Sequence, residues 1–456
     1  MKQTLLFILA SLLCITNVPA QWTTVCNTGD GMIVNLTKYH DDLYATGFFT
    51  TACGTSAAHV ARWDGSAWAP LGTGLSDAGH NLRALDTALY LAQYQQTMDS
   101  NWIRRWDGSS FVKVGEGVYL TTATSMSNVP NLYDVILYRG HLVACGEFDV
   151  VGDRHISGIM QWTGSQWDSL GSGLAGAMGS SGVMYPHQLL VIDTSLYVVG
   201  NFTTAGGITA NGVARWDGTQ WHAVGAGFNG TAYGLGMVNG SLYAGGEFTA
   251  SGSTTLKGIA RWDGTQWVNP GFGVSYSIAG VKAYIHTIEQ VGAYGIFEGG
   301  FNRAADGAAT RIANNVIAYD GTSLDTMGGG VVSANFEGIM ATDSGVLVGG
   351  ALFPGSAPET TNVSFYHFRL LNILEEKAAE VSVTPNPFSS FINISGIAPG
   401  SRVCICNLTG RMVYEETVAS ATATMQLGWL PDGIYILQMT NGSDIRYARI
   451  IKAGNQ

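Results

Sequence analysis

Arg-Trp-Asp-Gly recurs down this chain, and in the clearest copies a second Trp follows two residues later. It stands at Arg62-Trp63-Asp64-Gly65 with Trp68, Arg215-Trp216-Asp217-Gly218 with Trp221, and Arg261-Trp262-Asp263-Gly264 with Trp267. Looser copies stand at Arg105 to Gly108 with Phe111, Gln161 to Gly164 with Trp167, and Ala318 to Gly321 with Leu324. Successive aromatic anchors are 43, 56, 54, 46 and 57 residues apart. A period near fifty built of strand-type residues describes β-propeller blades rather than stacked helical pairs.

One repeat shows the physics. Ser241 to Phe248 alternates apolar with small or polar residues, as a half-buried strand does. Thr249 to Gly258, rich in Thr, Ser and Gly, reads as a loop. Ile259 to Trp262 and Gln266 to Val268 read as two strands joined by a two-residue Asp263-Gly264 hairpin turn. Ala232 to Val238 supplies the remaining strand of a four-stranded blade. A ring repeated in every blade serves a purpose that all blades share, so the Trp side chains are expected between neighbouring blades.

The last repeat supplies only three strands, near Phe336–Met340, Val346–Gly350 and Val363–Phe368. Gln21-Trp22-Thr-Thr-Val25 aligns with Gln220-Trp221-His-Ala-Val224, so the N-terminal strand is expected to complete the last blade. That makes an all-β, seven-bladed propeller with no long free edge. The pattern of a diglycine ending one strand (Gly245-Gly246, Gly299-Gly300, Gly349-Gly350), then an aromatic-Asp pair, then a Trp, resembles the kelch repeat of the galactose-oxidase-like propellers. Copper chemistry of that kind needs clustered Tyr and His ligands and a Cys crosslinked to Tyr, whereas the nine His here are scattered with no close pair. The sialidase Asp-box is a near miss, because here Asp and Gly are adjacent.

The two ends carry addresses. Met1 to Ala20 has a Lys2 start, an apolar Leu5–Ile15 stretch and a Val18-Pro-Ala20 end, the layout of a secretory signal peptide. Leu13 before Cys14 argues against lipidation, and no later segment has the length of an apolar membrane span. Residues 374–380 form a charged, Gly-free linker after a propeller region at 21–373. Residues 381–456 read as a small Ig-like β-sandwich with Pro385-Asn386-Pro387, Gly410-Arg411, Leu430-Pro-Asp-Gly433-Ile-Tyr435 and a terminal Lys452 in order. This tail is similar to the type A C-terminal sorting domain of the type IX secretion system of Bacteroidota. The resemblance implies the secretion machinery as a partner through residues 381–456, passage through the periplasm, and a final place outside the cell or on its outer surface, with the tail usually removed near the linker.

Composition narrows the remaining choices. A net charge of −11 with 22 basic residues excludes nucleic acid and anionic membranes as partners. The five Cys after residue 20 are an odd, sparse set rather than a disulfide framework. Cys404 and Cys406 share one side of a strand, so they cannot easily bridge each other. No His-Glu-x-x-His, Gly-x-Ser-x-Gly or phosphate-loop motif is present, and nothing calls for a metal or cofactor. The connections between second and third strands are the places to look for a site. Most are bland, but Asp153-Arg154-His155 in the third blade and Arg303, Asp306 and Arg311 in the sixth break the repeat, while Glu147 and Glu247 occupy equivalent strand positions. The connections Tyr119–Asn131 and Ala175–His187 belong to the same face. The expectation is a surface or secreted module binding a polysaccharide or a surface protein. The alternative is a carbohydrate-active enzyme, which a funnel lined by two or more carboxylates, or by His and Tyr, would favour.

Overall fold

The computed structural model describes residues 22–26, 31–353, 361–367 and 382–453, apart from 41, 53, 65–66, 94–99, 122–128, 179–183, 279, 308, 343–344, 408–411 and 442–443. The expected leader at 1–20, the linker at 374–380 and the Gly410-Arg411 hairpin lie outside the described residues.

Seven four-stranded antiparallel sheets account for the repeats. In each of the first six, four strands follow one another in sequence; the fifth, for instance, is Ala232–Val238, Ser241–Gly246, Ile259–Trp262 and Trp267–Val268. The seventh combines Val332–Thr342, Gly345–Phe353 and Thr361–His367 with Trp22–Cys26 from the N-terminus. Trp22 pairs with Tyr366 there, as Trp221 pairs with Trp216 in the fourth blade. The first strands touch in cyclic order, with Val332–Thr342 of the seventh blade returning to Met32–Tyr39 of the first. The ring is closed, and its first strands surround the axis.

One latch recurs between blades. The indole N–H of Trp167 donates to the Val114 carbonyl of the preceding blade at 2.8 Å; Trp221 and Trp267 donate likewise to Leu170 and Val224 at 3.0 Å. The residue after each acceptor is a glycine with positive φ, Gly115, Gly171 and Gly225. A Cβ on Gly115 would lie 2.3 Å from the ring of Trp162, so only glycine lets the Trp pair of the next blade close over that turn. Phe111 and Leu324 bury the same slot in blades two and six without a donor. The expected inter-blade Trp packing is therefore present, with a hydrogen bond that the sequence did not reveal.

The hairpin after each Trp differs from the expected two-residue turn. Trp262 faces Trp267 across four residues, and only Gly264 of the Asp-Gly pair has positive φ. Asp263 instead accepts the N–H groups of Thr265 and Gln266, each at 2.8 Å. The carboxylate replaces the cross-strand bonds of a tight turn. These hydrogen bonds, the Gln266 and Thr265 N–H groups foremost, hold the Asp263 carboxyl down to about 2. The expected Thr249–Gly258 loop is likewise a short ribbon, Ala250–Ser251 against Thr254–Thr255. Similar ribbons join second and third strands in blades one, three, four and six.

The tail is a sandwich of Ser382–Thr384, Phe391–Ser395 and Thr422–Gln426 against a four-stranded sheet of Met412–Thr417, Arg402–Asn407, Gly433–Asn441 and Asp444–Lys452. Ile392, Ile394, Val403, Ile405, Met425 and Leu437 fill its core. The dispersed motifs meet at one end. Asn386 accepts the Ile451 N–H at 2.8 Å, Phe388 donates to the Ile451 carbonyl at 2.8 Å, and the buried Lys452 ammonium lies 3.4 Å from Asp432. Cys404 and Cys406 are not in disulfides, nor is the buried Cys145.

The latch predicts a graded response. Trp167→Ala should cost about 3–5 kcal/mol of stability, the range for emptying a buried aromatic site. Trp167→Phe should cost about 1 kcal/mol beyond its loss of volume, for the orphaned Val114 carbonyl. Urea unfolding of both variants checks this; a Trp167→Phe loss no larger than its lost volume accounts for would assign the stabilisation to packing alone.

Candidate functional site

The first strand of each of the first six blades contains a β-bulge near its start. The bulged residues are Val34, His80, Tyr133, His187, Tyr233 and His286. A bulge leaves one residue outside the ladder and turns its side chain off the regular alternation. Because the bulge falls at the same place in adjacent blades, blades three to six bring Tyr133, His187, Tyr233 and His286 to one mouth of the central channel. The His187 ring stacks on Tyr133 at 5.1 Å and meets His286 at 4.8 Å and Tyr233 at 5.3 Å, both edge-on. Tyr185 and Tyr284, two residues before the bulged histidines, extend the cluster to Tyr133 and Tyr233. All six side chains are half-buried, so each offers part of its surface to the channel.

This corrects the expectation that the histidines have no close pair. His187 and His286 are far apart in sequence, and one structural position repeated two blades later joins them. Among the described residues, no group of three or more His, Cys, Asp or Glu is arranged to hold a metal ion.

Two carboxylates flank the rings. Glu147 ends the second strand of blade three, 3.5 Å from the Tyr133 hydroxyl, and is buried. Burial pushes its pKa up to about 7, against the smaller opposing pull of hydrogen bonds from Asn131 and Tyr133. Glu247, at the equivalent place in blade five, hydrogen-bonds the Tyr233 hydroxyl and lies 3.6 Å from the Lys282 ammonium. Burial first, then Tyr185 and Glu247, raises the Tyr233 pKa, so the phenol remains a donor. Glu147 ends its strand and Glu247 directly follows the equivalent one, and each sits beside the hydroxyl of a mouth tyrosine.

Below the rings a polar belt ties the first strands together. Asn35 accepts the Leu82 N–H at 3.2 Å, Asp134 accepts the Leu189 N–H at 2.9 Å, and Gln188 accepts the Leu235 N–H at 2.6 Å. Each acceptor directly follows the bulge of one blade, and each donor belongs to the next. Arg83 closes a bidentate pair on the buried Asp134 at 2.8 and 3.0 Å. Such fully paired polar groups specify a single arrangement of the strands. The channel encloses about 230 Å³.

The residues singled out from sequence lie on ribbons of different blades. Asp153 stands fully exposed at a ribbon tip, and Arg154 bonds Glu116 at 3.1 Å. His155 is exposed. Arg303 begins the ribbon of blade six, and Asp306 at its end is held by Arg311 at 2.7 Å. No hydrogen bond or ion pair among the described residues joins the two groups. The rims Tyr119–Asn131 and Ala175–His187 contain residues outside the described set. The ring cluster has no local motif; its sequence signal is an aromatic or His directly before the polar-aliphatic pairs Asn81-Leu82, Asp134-Val135 and Gln188-Leu189 of the first strands.

Residues 382–453 match the family of secretion system C-terminal sorting domains. The chain thus carries a type IX sorting tail, which engages that export machinery and sends the protein to the cell surface or beyond. No curated protein matches the chain in sequence. Among solved structures it is similar to PorZ, a surface component of the type IX secretion system of Porphyromonas gingivalis, at 14% identity over 93% of this chain and 60% of that one, with a TM-score of 0.43. It is also similar to the extracellular domain of the one-component system BT4673 from B. thetaiotaomicron, at 12% identity over 94% and 58% of the two chains, with a TM-score of 0.43. The chain therefore spans about three-fifths of the length of these two structures. Among the described residues, no helix is long and apolar enough to cross a membrane.

The Glu147 environment predicts a pH signature. Between its ordinary value of 4.5 and its folded value of about 7, the native protein keeps a proton that the unfolded chain has lost. Stability therefore falls as pH rises through that window and levels off above it. Glu147→Gln removes the effect. Melting curves of variant and wild type should converge near about pH 5 and separate by about pH 8, with the variant more stable; parallel profiles would contradict this environment.

Proposed function

We propose that the propeller is a binding module displayed on or released from the cell, that its ligand enters the aromatic mouth, and that the ligand is an extracellular polysaccharide or surface protein. The observation that carries this reading is the convergence of four bulged Tyr and His side chains on one concave opening, with Glu147 beside the Tyr133 hydroxyl and Glu247 beside that of Tyr233. Concave apolar walls with a few placed polar groups are the usual form of a ligand site. Structure alone needs only the polar belt to join the strands; it does not need rings at the position above it. In this reading residues 1–20 are removed on export, 21–373 are the cargo, 374–380 link, and 381–456 deliver. The kelch-like assignment of the repeats belongs to the same proposal. The ribbons carrying Asp153, Arg154, His155, Arg303 and Asp306 extend the rim.

The test is a glycan array and a surface-protein pull-down with the secreted protein, followed by His187→Ala and Tyr233→Ala. Each substitution should weaken a genuine ligand by about tenfold or more, as losing a central aromatic contact does, with little change in melting temperature. Unchanged binding in both variants would move the site elsewhere.

Glu147 favours a second reading, an enzyme acting on carbohydrate. A carboxyl with a pKa near neutrality in a lined funnel is suited to proton transfer. Product analysis of every bound glycan decides it: turnover lost in Glu147→Gln with binding retained supports the enzyme, and intact products retire it.

A further inference from the structure

We propose that the groove between blades five and six is an anion-accepting subsite beside the mouth, so that the ligand is an acidic saccharide. Its sugar ring would lie against the Tyr and His rings, with a carboxylate or sulfate over Lys257 and Lys282. The inference rests on the binding reading above and narrows its ligand.

The groove encloses about 450 Å³ and opens on the face where the ribbons stand. Its Glu247 adjoins the mouth: that carboxylate bonds the mouth residue Tyr233 on one side and lies 3.6 Å from Lys282 on the other. Lys257 is held in place by its stem. A Cβ on Gly273 would fall 2.5 Å from the Lys257 Cβ, so the absence of a side chain at 273 gives the lysine its place on the groove wall. Arg303 pairs with Ser275 in the small sheet that forms the same wall, two residues from the groove-lining Ala305 and on its side of the strand. Asp306 on that ribbon is already held by Arg311.

Charge makes the groove unusual. The chain has 22 basic residues and a net charge of −11, yet two lysines line this groove beside one carboxylate. Lys282 leaves most of its side chain in solvent, 75% exposed, so it is open to an incoming anion. A local cationic field on an otherwise acidic surface concentrates anionic ligands. Val274 and Val281 line the groove around the lysines and limit competing water at that wall. A saccharide is favoured over a protein segment because the rings sit in a recess, half-buried and interleaved with hydroxyl, amide and carboxyl groups that match a polyhydroxylated ring.

Binding of the secreted protein to polygalacturonate, alginate and chondroitin sulfate, measured by calorimetry beside laminarin and xylan, tests the proposal. The acidic polymers should bind more tightly, with affinity falling as salt rises. The double variant Lys257→Gln/Lys282→Gln should weaken them by about tenfold or more, as loss of charged hydrogen bonds does, and should flatten the salt dependence. Both lysines are exposed, so a matching melting temperature establishes that the variant is folded. Equal binding of neutral polymers, unchanged in the double variant, overturns the subsite; if His187→Ala then abolishes that binding, the mouth still stands. If no saccharide binds, and a protein ligand is lost in His187→Ala, the acidic-saccharide inference falls while the mouth survives.

Discussion

The fold depends on a large buried side chain at one slot of each of the first six blades, which in blades three, four and five also hydrogen-bonds the blade before it. Trp167, Trp221 and Trp267 bury their rings at the blade boundary and spend their single donor on a carbonyl of the preceding turn. The glycine that follows each acceptor leaves room for the Trp pair, so turn, ring and donor form one unit. A blade cannot bury its own faces; it needs a neighbour on each side, which ties local repeat chemistry to closure of the ring. The N-terminal strand supplies the last missing edge beside Thr361–His367.

Closure has a consequence for function. Once the buried side chains at the blade boundaries fix the rotation between neighbours, the first strands meet the axis in the same way. The same bulge then places one side chain from each of blades one and three to six at the mouth, and the polar belt below it locks strand to strand through Asn35, Asp134 and Gln188. Side chains at the bulge do not join the ladder, so they vary without disturbing the ring: Val34 in blade one, Tyr or His in blades three to six. A repeated scaffold thereby presents an unrepeated surface.

The legible part of the sequence was the part that repeats. Trp spacing, Asp-Gly placement and the Gln21-Trp22 alignment gave blade architecture and closure, and ordered motifs in the tail gave its role in export. Three features resisted. At Asp263 backbone preference alone predicts a two-residue turn, whereas the carboxylate holds a wider four-residue loop by accepting two N–H groups. The short ribbons pair only two or three residues, too few to show a period-two pattern. The mouth residues come from four blades, so no local motif marks them; His187 and His286 meet only because the ring returns equivalent positions to one axis. The Asp153–His155 and Arg303–Asp306 groups were conspicuous because they broke the loop pattern, yet most of their charges are taken up by local pairs such as Arg154 with Glu116 and Arg311 with Asp306.

The most direct test of the account is hydrogen–deuterium exchange of the secreted protein with and without saturating bound polysaccharide. The account predicts that exchange slows in the segments holding the bulges at Tyr133, His187, Tyr233 and His286, together with the Tyr276–Ala283 connection that walls the groove. Protection confined to the outer strands of the blades, or to residues 382–453, would contradict it.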